Sequence, residues 1–112
     1  MILHITTREL WQTAVDTYIP ESFSADGFIH CSTIEQVLTP ANEMFRGQTD
    51  LILLCINEEK VQAPVMYEDC YDTGRRYPHI YGPLNKDAIV RIVNFPANED
   101  GSFSLPPPLN LP

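Results

Sequence analysis

The chain has 112 residues, 44% apolar and 20% charged, which bounds it to one globular domain with a single core. Fifteen acidic residues against seven basic ones give a formal charge of −8, and with no Lys/Arg-rich run this argues against nucleic acid as a partner. No stretch approaches the roughly 20 apolar residues of a membrane helix, MILHITTREL is neither a signal nor a transit peptide, and three cysteines without a Cys-x-x-Cys pair point to a reducing, cytoplasmic compartment.

Residues 1–5 read as a short first strand. Thr and Glu in Thr6-Thr7-Arg8-Glu9 have the spacing of a capping box. Leu10, Trp11, Ala14, Val15 and Tyr18 follow at helical spacing, so residues 7–18 are expected to form an amphipathic helix that Pro20 stops. Residues 20–26 read as a loop, and residues 27–31 as a compact strand. Ser32-Thr33-Ile34-Glu35 starts a second predicted helix with Ile34, Val37, Leu38, Ala41 and Phe45 inward. Pro40 should kink it or split it, with Thr39 as a new N-cap, and Gly47 should end it.

Residues 50–56, with LILLCI inside, are the most continuous apolar run and predict a central strand covered on both faces. Residues 65–69 and 79–81 read as short strands around a loop at 70–78, and residues 87–95 as the last strong strand. Strand-helix units come first and strands dominate afterwards, which favours an α+β fold with two N-terminal helices. Residues 1–95 form the predicted domain. Residues 96–112 hold five of the ten prolines and read as a Pro-rich C-terminal extension on the surface.

Strand alternation directs the histidines. In the first strand, Ile2, His4 and Thr6 share one face and Leu3 and Ile5 the other. In the second, Phe28, His30 and Ser32 oppose Ile29 and Cys31. If the all-apolar faces look into the core, His4 and His30 look out the opposite way, and were the two strands neighbours they would approach each other on one surface. His79 and Tyr81, two apart, also share a face. Packed strand histidines are common, but three in short strand-turn contexts make a candidate site. Glu68, within VMYED, is the carboxylate candidate, because a buried glutamate must be paired or functional. Its bland reading is an edge-strand residue. No metal is expected: no His-x-x-x-His or Cys-x-x-Cys spacing exists, and Cys31 faces away from His30. Cys70, nine residues before His79, is a weaker nucleophile candidate with no visible orienting partner. The five glycines are scattered, so no phosphate loop is present.

The elements LHITT, the Trp11 helix, GFIHCS at 27–32, EQV at 35–37, Phe45, DLILL at 50–54, Glu68 and YPHIYGPL at 77–84 occur in this order. Through them the chain resembles the bacterial domain of unknown function 952 family, from about residue 1 to 95. The resemblance implies a fold related to the ADP-ribosyltransferase-like superfamily: a split, bent β core with NAD in the cleft between its halves. In its RNA 2′-phosphotransferase branch, two strands carry elements to which His4 and His30-Cys31-Ser32 are similar, and Glu68 would match a later acidic residue.

Three functions follow. The first is an NAD- or nucleotide-handling enzyme with His4, His30 and Glu68 catalytic and Ser32, His79 and Tyr81 binding the ligand, NAD being a substrate. Glu68 would stabilise a developing oxocarbenium charge. The second is a non-catalytic ligand- or protein-binding module on the same fold, motivated by the lack of placed phosphate-binding arginines. The third is an accessory protein whose histidines are structural.

Overall fold

The computed structural model describes residues 1–70 and 72–109. Eight strands are present among them: β1 (Ile2–Thr7), β2 (Thr17–Tyr18), β3 (Ile29–His30), β4 (Leu51–Ile56), β5 (Val65–Glu68), β6 (Tyr77–Ile80), β7 (Leu84–Asn85) and β8 (Ile89–Asn94). Three short helices join them: α1 (Arg8–Gln12), α2 (Phe23–Asp26) and α3 (Leu38–Met44). All pairings are antiparallel. One sheet runs β1-β4-β8, a second β3-β6-β5, and β2-β7 is a two-strand ladder. This is a mixed α/β architecture with antiparallel sheets and few helices. No helix among the described residues is long and apolar enough to cross a membrane.

β4 lies in the middle of its sheet, as its unbroken apolar run requires, and all six of its residues are buried. Antiparallel sheets often leave one face to water, but here β4 and most of β1 form a partition, while β8 stays largely exposed. Ile2, Ile52, Leu54 and Ile56 face one apolar cluster with Tyr18, Ile29, Ile80 and Leu84. Leu3, Leu51, Leu53, Cys55 and Val93 face a second cluster with Val37, Ala41, Phe95, Phe103 and Leu109. The single expected core is therefore two layers on one wall. Residues 96–109, read from sequence as an extension, supply Phe103 and Leu109 to the second layer, so this part of the tail is packed rather than free.

The first predicted helix is shortened. Thr7 caps α1 by accepting the Leu10 N–H at 3.1 Å, and the helix ends after five residues, where the Thr13 hydroxyl donates to the Leu10 carbonyl at 2.7 Å. Val15, expected inward, is 80% exposed. Tyr18, also assigned to that helix, lies in β2 opposite Leu84 and is buried. A buried tyrosine with hydrogen-bond partners outweighs weak helical propensity. The expected loop at 20–26 contains the single turn α2, closed by Gly27 in the left-handed region at φ 81°, whose N–H donates to the Phe23 carbonyl.

The second predicted helix starts later than its capping box. Ser32 is taken into a bridge with Leu3: Leu3 N–H donates to Ser32 O at 2.7 Å and Ser32 N–H to Leu3 O at 2.8 Å. The chain then turns through residues 34–37 and begins α3 at Leu38. Pro40 thus sits in the first turn, where a missing N–H leaves no bond unmade. The Leu3–Ser32 bridge joins the two three-stranded sheets and brings β1 to the end of β3.

Candidate functional site

In the second sheet Ile29, Cys31 and Ile80 turn into the first apolar layer. Alternation sends Phe28, His30, His79, Tyr81, Met66 and Glu68 to the other face. The register places His30 opposite His79, and Met66 opposite His79 from the other side. The His30 and His79 rings are 5.5 Å apart. Phe28 stacks on His79 with centroids 4.0 Å apart and planes at 19°, and also touches His30 and Tyr81 at 4.7 and 5.4 Å. His79 is only 1% exposed despite lying on the outward face, because these neighbours cover it.

Glu68 gathers two donors on one oxygen. Its Oε1 accepts the Tyr81 hydroxyl at 2.5 Å and His79 Nδ1 at 3.0 Å. A carboxylate can only accept, so His79 carries its proton on Nδ1. The Tyr81 and His79 bonds hold the Glu68 carboxyl below its ordinary range, so it is ionised at neutral pH. The same bond to Glu68 pushes the Tyr81 phenol up to about 12, keeping it a donor. Cys70 Sγ lies 3.7 Å from the same Nδ1. The loop carrying Cys70 is tied by Asp69, which accepts the Thr73 and Gly74 N–H groups at 2.9 and 2.7 Å. His30 Nε2 meets Asp26 Oδ2 at 2.8 Å.

The structure therefore brings together His30, Glu68, His79 and Tyr81. It does not bring His4 with them. Both faces of β1 are covered, so the surface on which His4 was expected is the first apolar layer, and His4 is 6% exposed. Its Nδ1 lies 2.6 Å from the His30 carbonyl and its Nε2 2.8 Å from the Tyr18 hydroxyl, which is itself 2.8 Å from Thr6 Oγ1. The carbonyl only accepts, so Nδ1 carries a proton. Burial lowers the His4 pKa to about 4, and burial raises that of Tyr18 to about 12. His4 is a neutral strut between the sheets. Ser32 is likewise buried, its backbone committed to the bridge with Leu3.

Phe28 and Asp26 were not singled out from the sequence. Phe28 was visible as the alternation partner of His30 in GFIHCS. Asp26, across Gly27 from that strand, left no signal. Two grooves, of about 620 and 440 Å³, run between β8 and the 96–109 segment or beside Met1 and Ile34, and none of the six sequence-predicted site residues lines either.

The chain is thus a small antiparallel α+β protein with a carboxylate–imidazole–phenol cluster on the outer face of its second sheet. The family model described as "Protein of unknown function (DUF952)" matches residues 5–92, and the chain belongs to that family. A crystal structure of protein CC0527 from Caulobacter crescentus is 33% identical, with 98% of each chain covered and a TM-score of 0.88. A crystal structure of a double-methionine variant of CC0527 gives the same identity and coverage with a TM-score of 0.87. The solution NMR structure of CC0527 is 30% identical, covering 93% of this chain and 91% of that one, with a TM-score of 0.67. No curated protein matches.

Proposed function

We propose that this chain binds a small nucleotide-type ligand on the face formed by Phe28, His30, Glu68, His79 and Tyr81. NAD is the candidate that the ADP-ribosyltransferase-like resemblance implies. The observation that carries the reading is Glu68: an ionised, a-third-exposed carboxylate that holds an imidazole and a phenol beside a stack of rings. Charge-assisted bonds of this kind fix orientation. Aromatic surfaces add about 0.5–1.5 kcal/mol when a planar ring packs on them. Support for the superfamily relation comes from two three-stranded sheets that meet at one bridge, as a split β core would. The three free cysteines suit a reducing cytoplasm as the working compartment.

Binding is the primary reading and turnover the second. His4 was a candidate catalyst, yet both its ring nitrogens are spent on internal partners. Turnover is favoured only by the Glu68 carboxylate, which could stabilise positive charge at a ribosyl carbon. The test is a melting-temperature series with NAD, ADP-ribose and nicotinamide mononucleotide at millimolar concentration, in the presence of chelator. At ten times Kd, a ligand bound only by the native state adds about 1.4 kcal/mol, or about 5 °C for a domain of this size. Phe28→Ala and Glu68→Gln should abolish the shift. Unshifted melting with all three compounds overturns the reading. Consumption of NAD that disappears in Glu68→Gln would promote the enzymatic version.

A further inference from the structure

We propose that Glu68, Cys70 and His79 form a three-ligand site for a zinc-type divalent ion, with the fourth position open to solvent or substrate. Among the described residues these three offer ligand atoms that all lie within 4.8 Å of one another. The inference needs no organic ligand and stands independently of the nucleotide reading.

The two edges that meet at His79 lie close to those of a tetrahedral site. Zinc binds imidazole nitrogen at about 2.0–2.1 Å, thiolate sulfur at about 2.3 Å and carboxylate oxygen at about 2.0–2.2 Å. Tetrahedral angles then put nitrogen about 3.6 Å from sulfur and about 3.4 Å from oxygen. The observed separations from His79 Nδ1 are 3.7 Å to Cys70 Sγ and 3.0 Å to Glu68 Oε1. The His79–Glu68 edge must open by a few tenths of an ångström as the ion replaces the shared proton, and the Glu68–Cys70 edge, which lies within 4.8 Å, must settle at the roughly 3.6 Å of a tetrahedron. One thiolate, one imidazole and one carboxylate suit a borderline-soft ion and disfavour magnesium or calcium, which take oxygen ligands.

The surroundings hold each ligand in place. Phe28 stacked on His79 fixes the ring plane. The Asp69 bonds to Thr73 and Gly74 fix the turn that carries Cys70. The Tyr81 hydroxyl orients the Glu68 carboxylate, the role outer-sphere donors have at metal sites. His79 is buried whereas Cys70 is exposed, so the open side faces solvent. On binding, Cys70 enters as thiolate and releases its proton. Neutral His79 ligates through Nδ1 with its proton moved to Nε2. Two anionic ligands balance the charge of the ion.

The test is titration of the reduced, chelator-treated full chain with cobalt(II), without nucleotide. One equivalent should bring up thiolate-to-cobalt charge transfer together with tetrahedral visible bands, and zinc should bleach both. Cys70→Ser should lose the charge-transfer band, and Glu68→Gln should weaken cobalt binding about tenfold or more. X-ray absorption at the zinc edge of the loaded wild-type protein, which needs no variant, should show one sulfur neighbour at about 2.3 Å. A wild-type protein without the thiolate band, a band that survives in Cys70→Ser, or a zinc shell of oxygen alone would each overturn the site.

Discussion

His4 shows how far one side chain can be read. Its strand and its face were legible from alternation, but alternation says only which residues go together, not whether their side is wet. Two apolar layers on one sheet make both sides dry, and the ring became a strut between the His30 carbonyl and Tyr18. Its protonation is therefore linked to folding. The folded pKa is about 4 against an ordinary 6.5, so below about pH 6.5 the unfolded chain takes up a proton that the folded one refuses. Stability from this group is complete above pH 6.5 and lost as pH falls towards 4, up to about 3 kcal/mol at the conversion of 1.36 kcal/mol per unit. The ring meets Tyr18 and the His30 carbonyl, and Tyr18 in turn meets Thr6. The lowered Glu68 carboxyl acts in the same direction but only below its ordinary 4.5. Urea titrations across pH 4–7 should fall steeply for wild type and flatten in His4→Gln. Equal slopes would mean that the ring is not held neutral. His79, Tyr81 and Glu68 were all named from sequence, whereas their convergence with Phe28 depended on strand order, which no local pattern states.

At the level of elements, the strands were the more legible part. The apolar run at 51–56 and the alternating pieces at 2–7 and 89–94 formed strands near their expected bounds. Helices were overread because the same spacing that marks an amphipathic helix also arises by chance when a buried tyrosine follows a short turn. A one-turn helix such as α2 is too short for any period to register. Its end is nonetheless specific: Gly27 at φ 81° turns the chain into the strand that presents Phe28 and His30. A Cβ there would meet nothing within 4 Å, so the cost of Gly27→Ala is conformational alone. We expect a loss of about 1–2 kcal/mol in chemical denaturation. A neutral substitution would show that the backbone relaxes out of the left-handed region.

For the molecule as a whole, the sequence bounded the size and the α+β class correctly but placed the domain's last contribution at residue 95. Prolines suggested an extension, and they mask the apolar residues set among them. Phe103 stacks on Phe95 with centroids 4.7 Å apart, and Asn42 accepts the Phe103 N–H at 2.7 Å, stitching the tail to α3. Truncating the ring by Phe103→Ala should cost about 3–5 kcal/mol, as core phenylalanines do. That is a large share of the 5–15 kcal/mol available to a typical domain. A loss under about 1 kcal/mol in urea unfolding would return the tail to the status of an appendage.

The partition strand β4 gives the two layers a shared fate. Each of its faces is plated by a different set of side chains, so neither set can come apart without stripping an apolar surface that the other still needs in place. Partial opening that frees one half while sparing the other has no foothold at this strand. Its amide protons should be the last to exchange with heavy water, and they should do so only through events that dissolve the entire fold.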